Sequence, residues 1–142
     1  MTNTGIHSID HAPQAVAEWL DQICDRLDWT DNRRAYLLLR TVLHGLRDWL
    51  NVDEAADLAA QLPLLLRGIY FEGWNPSSTP VHPRKPADFL ERMNSTFKTE
   101  PLEDTEQAVA AVFAILDGHI SKGEANQVRQ SLQKGLRDLW PH

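Results

Sequence analysis

An all-α fold, a compact helical bundle, is predicted by three features of this sequence. Apolar residues recur at three- and four-residue spacing along nearly the whole chain. No stretch alternates apolar and polar residues as a half-buried strand would. Helix-starting and helix-ending residues punctuate the chain at helix-length intervals. With 142 residues the chain is near the commonest size for one domain, long enough to enclose a single core.

The first helix is expected from Pro13, which tolerates a first turn because it lacks the donor left unused there, to about Asp28. Residues 1–12 ahead of it are expected to be a flexible segment. Val16, Trp19, Leu20, Ile23, Cys24 and Leu27 form its apolar face. Thr30 is placed to cap a second helix running from Asp31 to about Leu50. Asn51 then starts a third, with Glu54 three residues on in a near capping-box arrangement. Pro63 should kink or split that helix, since it removes a donor and crowds the carbonyl four residues back. Gly73 can close it in a left-handed conformation. WNPSSTPVHPRKP follows, and its four prolines make residues 75–85 a stiff linker.

The second half matches the first. Placing residue n over n+70 pairs AEWLDQI with ADFLERM, so that Trp19 falls on Phe89 and Leu20 on Leu90. Asp31 falls on Asp104 in a shifted register of n+73, and Glu54, Leu62, Leu66, Arg67 and Tyr70 return to n+70 over Glu124, Leu132, Leu136, Arg137 and Trp140. Ser121 to Glu124 form a full capping box where Asn51 to Glu54 stand in the first half. The expected domain, residues 13–142, is therefore two three-helix units, 13–74 and 86–140, packed together.

The comparison isolates one segment, LPLLLRGIYFEGW at 62–74. Where it has Leu64, Leu65 and Phe71, the second unit has Lys134, Gly135 and Pro141. A helix apolar nearly all round is either buried from several sides or presents a patch to a partner. Two readings stand. Leu64, Leu65 and Phe71 meet the second unit, making this the central helix, or Leu64, Leu65, Phe71 and Trp74 form a surface for another chain, a protein partner or a second copy in a homodimer.

RRAYLLLRTVLHGLRDWL, DEAADLAAQLPLLLRGIYFEGW and HISKGEANQVRQSLQKGLRDLW together resemble the bacterial family catalogued as domain of unknown function 2267. The resemblance spans about residues 16–140, and LPLLLRGIYFEGW and ISKGEA are its most specific parts. It implies a helical fold of unassigned activity and supplies no catalytic residues. Members often carry Leu-Pro in the last helix as well, whereas this chain has Leu132-Gln133, leaving open whether that helix kinks.

Arg33, Arg40, His44 and Arg47 fall within an arc of about 60° on the second helix, opposite Ala35, Val42 and Leu46. Such a stripe suits a phosphate or an acidic partner, because guanidinium forks match both. The competing expectation pairs it with Asp21, Asp25 and Asp28 of the first helix. Arg67 and Arg137, each among apolar neighbours, are expected to pair with Glu54 and Glu124. His7 and His11 have a spacing that a zinc ion can share, but a mobile terminal segment is the reading adopted for them.

Formal charge is −6, with 11 acids against 6 Lys and Arg in residues 1–74 and 9 against 8 thereafter. That balance argues against nucleic-acid binding, which requires a basic surface. The single cysteine, the absence of a leader-like start and the lack of a long apolar run point to a cytoplasmic protein outside the membrane. There is no glycine-rich phosphate loop, no zinc-ligand cysteine set and no activated nucleophile, so neither cofactor nor metal is expected. The sequence therefore reads as a non-catalytic protein-interaction module. The alternative is a binder of a small apolar ligand, held between the two units where Tyr36, Trp49, Tyr70 and Phe71 converge.

Overall fold

A computed structural model describes residues 3–81 and 85–141. Of the expected terminal segment and linker, residues 1–2 and 82–84 lie outside the described residues, as does 142. Every regular element among the described residues is helical, as the periodicity requires.

One short turn, α1 (His7–Asp10), precedes α2 (Ala12–Leu27), which starts one residue before Pro13 and ends at Asp28 in the left-handed conformation. The Asp10 carboxylate accepts hydrogen bonds from the Thr4 and Gly5 amides, and the His7 and His11 rings stack 4.9 Å apart. The second helix, α3 (Asn32–Trp49), is capped by Asp31, whose side chain accepts from the Arg33 amide. The expected cap, Thr30, lies one residue too early: in this loop the carboxylate, not the hydroxyl, reaches the free amides of the first turn.

Asn51 caps α4 (Val52–Gln61) as expected, accepting from the Glu54 amide at 2.8 Å. The chain leaves the helix at Leu62 (φ −86°, ψ 146°), and α5 (Leu64–Phe71) follows Pro63. Gly73 then takes φ 75°. A short 3-10 turn, Pro76–Ser78, interrupts the linker before α6 (Pro86–Thr96). The remaining helices are α7 (Thr105–His119), capped by Asp104, α8 (Lys122–Ser131), capped by Ser121, and α9 (Lys134–Arg137).

The break between α8 and α9 answers the question that Gln133 raised. Leu132 has φ −86° and ψ 147°, so this helix breaks without a proline. Arginine accompanies both breaks. Arg67 donates to the Ala59 carbonyl, which also accepts from the Leu62 amide, and to the Leu62 carbonyl, and Arg137 donates to the Leu132 carbonyl, so each arginine bonds acceptors at a helix end. Their expected partners, Glu54 and Glu124, are not used. Glu54 accepts instead from Ser131 of α8 and from Asn51, because it lies on the side of α4 that packs against α8.

The buried residues form one cluster that draws on both halves of the chain. Its axis is α3, which packs against α2, α4, α5, α6 and α7. At Gly45 a Cβ would lie 2.8 Å from the Phe89 ring, so the glycine sets how closely α6 approaches α3. Of the two readings of α5, central helix or surface, the structure has it at the surface, resting on α2, α3 and α4. A short helix whose inward face is already filled by Leu66 and Tyr70 has no second core to enter.

Candidate functional site

Three faces of α5 have different neighbours. Leu66 and Tyr70 point inward with 0% of their surface exposed, and the Tyr70 hydroxyl donates to the Ala55 carbonyl of α4 at 2.9 Å. Burial pushes the Tyr70 phenol well above its ordinary range, which keeps it a donor at every accessible pH. Arg67 anchors the first turn to the end of α4. The third face looks outward: Leu64 is 48% and Leu65 45% exposed. Phe71 and Trp74 are half-buried at its far end, with rings 5.1 Å apart. The reading that buried Leu64 and Leu65 against the second half therefore fails, for the inward positions belong to Leu66 and Tyr70.

The arginine stripe of α3 lies beneath the other end of the same helix. His44 is 8% exposed and donates Nε2–H to the Ile69 carbonyl at 2.7 Å. Arg47, 5% exposed, donates Nη1–H to the carbonyls of Tyr70 (3.0 Å) and Glu72 (2.7 Å). Its other nitrogens hold Asp48, whose second oxygen also meets Arg92 of α6 at 2.9 Å. Arg40 holds the Glu72 carboxylate at 2.7 Å. Cations thus occupy the negative end of α5 and satisfy its last carbonyls, an arrangement the helix dipole favours.

These contacts correct the expected pairing with Asp21, Asp25 and Asp28, since the ion pairs of Arg40 and Arg47 run to Glu72 and Asp48. Once α5 covers the stripe, its backbone carbonyls and Glu72 lie nearer than the acids of α2. Arg33 sits two turns before Arg40 on the exposed start of α3, apart from this cluster. Asp48, Glu72 and Arg92 are partners that sequence reasoning missed. The adjacency of Arg47 and Asp48 was a local signal for the first, whereas nothing local marks Arg92.

The cluster shifts its own ionisation. Burial alone would raise the Asp48 carboxyl, but hydrogen bonds and charge from Arg47 and Arg92 outweigh it and hold the group below its ordinary value. Glu72 is lowered by its hydrogen bonds with Arg40 and by that charge. His44 is lowered chiefly by burial, with Arg47, Arg40 and Arg92 adding to it against the opposing Ile69 carbonyl. His44 is therefore neutral at neutral pH.

The aromatic residues expected to frame a ligand pocket are dispersed. Tyr36 and Trp49 stand 13 positions apart on α3, about 20 Å at the helical rise. Trp49 packs edge-on against Phe89, while Phe71 lies against Tyr70 and Trp74. Cys24 is buried beside the Asn32 side-chain oxygen, and burial raises its thiol, with Asp21, Asp25 and Asp31 adding to the effect. His119 stacks on Trp19 and bonds Gln22. Among the described residues no group of three or more His, Cys, Asp or Glu is gathered as a metal set, and no helix is long and apolar enough to cross a membrane.

A family model described as uncharacterized conserved protein (DUF2267) matches residues 16–139. The chain belongs to that family. The match begins within α2 and ends just after α9, so it takes in α5 and the whole cluster that holds it. No curated protein matches the chain. DUF2267 carries no assigned activity in its description, so a functional reading must rest on the geometry of α5 and α3.

Proposed function

We propose that the protein is a non-catalytic protein-interaction module whose docking surface is the outer face of α5, formed by Leu64, Leu65, Phe71 and Trp74. The observation that carries this reading is the exposure of two adjacent leucines on a helix fixed from below by Leu66, Tyr70, Arg67, His44 and Arg47. Apolar side chains held rigidly at a surface lose little conformational entropy on docking, which favours association.

The reading assigns a second copy of the chain as the first occupant. Gly68 lies mid-face in open space, where an added Cβ would meet nothing, with leucines one turn before it and Phe71 one turn after. An antiparallel copy crossing at Gly68 sets Leu65 of each chain against Phe71 of the other, the self-matching arrangement a two-fold dimer needs. Methyl NMR over a concentration series tests this. The Leu64 and Leu65 signals should shift together as concentration rises, while Val52, 39% exposed on α4, stays fixed. Leucine signals that never move, or that move no more than Val52, count against it.

The same reading retains the internal duplication. Its support is position by position: Asp31 and Asp104 both cap, Asn51 and Ser121 both cap, Leu62 and Leu132 share their backbone torsions, and Arg67 and Arg137 bond the carbonyls beside the two breaks. The absence of a nucleic-acid partner belongs to the proposal too, on the acidic balance of −6, and so does a cytoplasmic location, on the single cysteine.

A further inference from the structure

We propose that the segment closing α5, from Phe71 to Trp74, is a pH-sensitive latch, held on α3 while His44 is neutral and released when His44 gains a proton. The geometry places one buried imidazole where every neighbour that could oppose a new charge is already committed. From α3 itself, Arg40, Arg47 and Asp48 surround His44; α6 adds Arg92; α5 adds the Ile69 carbonyl and the Glu72 carboxylate. Among the described residues three guanidiniums thus face two carboxylates, and each carboxylate is already paired, Glu72 with Arg40 and Asp48 with Arg47 and Arg92. These described groups carry one surplus positive charge before His44 titrates. A second must be accommodated at a site with little water to screen it.

Release should be confined to that segment. Leu66 and Tyr70 remain anchored in the core, and Arg67 ties the first turn to α4. Gly73, at φ 75°, supplies a pivot just beyond the helix. Trp74 weakens the closed state from its own side, because its indole N–H is buried with no acceptor among the described residues.

The direction follows from the lowered His44 value. The latch is at full strength above the ordinary histidine value of 6.5 and weakens as pH falls through the lower value of the folded state. Glu72 and Asp48 are held below their ordinary values of 4.5 and 3.8, so both stay ionised between about pH 7.5 and about pH 5. Release moves Phe71 and Trp74, two of the four docking residues. That consequence rests on the proposed function, whereas the latch does not.

Amide hydrogen exchange reads the latch without reference to any partner. The Glu72 and Trp74 amides, bonded to the Ile69 and Phe71 carbonyls, should lose several-fold protection between about pH 7.5 and about pH 5, after correction for intrinsic rates. Amides of α8 should not follow. In His44→Gln, whose side chain can donate but cannot be protonated, protection at Glu72 and Trp74 should be independent of pH over that interval. Unchanged wild-type protection, or the same loss in His44→Gln, overturns the latch. If His44→Gln fails to fold, the wild type still decides: the His44 ring nitrogens and the Glu72 and Trp74 amides should titrate with one midpoint, and separate midpoints contradict the inference.

Discussion

Replacing Arg47 with methionine is expected to cost about 3–5 kcal/mol of stability in chemical denaturation, the range for removing one partner of a buried charge pair. Methionine keeps much of the aliphatic stem, so the loss isolates the guanidinium. Without it the Tyr70 and Glu72 carbonyls lose their donor, and among the described residues Asp48 keeps only Arg92 as an ion-pair partner. Arg40→Met should cost at most about 1 kcal/mol, because its bond to Glu72 lies at the surface. Equal costs for the two substitutions would mean that the stripe does not divide into a buried and an exposed part.

The second large effect separates neighbours in sequence. Leu66→Ala should lose about 2–5 kcal/mol, as core truncations do, while Leu65→Ala should fall within about 0.5 kcal/mol of the wild type. Leu66 lies against the shared core and Leu65 is 45% exposed. The contrast depends on one step of a helix turn, which composition cannot reveal. A comparable loss at both positions would restore α5 to the interior.

That contrast also shows where the sequence was legible and where it was not. Helical class, the caps at Asn51 and Ser121, and the break after Leu62 are local matters, set by residues within one turn of each other, and they were readable. Which helix would be central was not. The row Arg33, Arg40, His44, Arg47 has the pattern of a solvated face, yet 11 residues of α3 are buried, His44 and Arg47 among them. What buries those two is a helix end, whose acceptors are backbone carbonyls common to every sequence. The same blindness led to Glu54 and Glu124 as partners for Arg67 and Arg137, when the acceptors were carbonyls at the two helix breaks. Charge patterns suggest side-chain partners readily and backbone partners hardly at all.

The candidate surface was legible in part. The excess of apolar residues at Leu64, Leu65 and Phe71 over the matching Lys134, Gly135 and Pro141 singled out α5 before any geometry was known. Its dependence on the arginine stripe was hidden, because α3 and α5 meet only in the fold. The two segments picked out separately, one apolar and one basic, turn out to be an outward face and the anchor beneath it.

The central claim is that the leucines on the outer face of α5 serve association and not folding, and sedimentation equilibrium of the wild type beside Leu65→Asp tests it most directly. The wild type should show concentration-dependent mass above that of one chain, and Leu65→Asp should remain folded and sediment as a single chain throughout. A wild type that stays monomeric at every concentration, or a Leu65→Asp variant that associates equally well, would contradict the account.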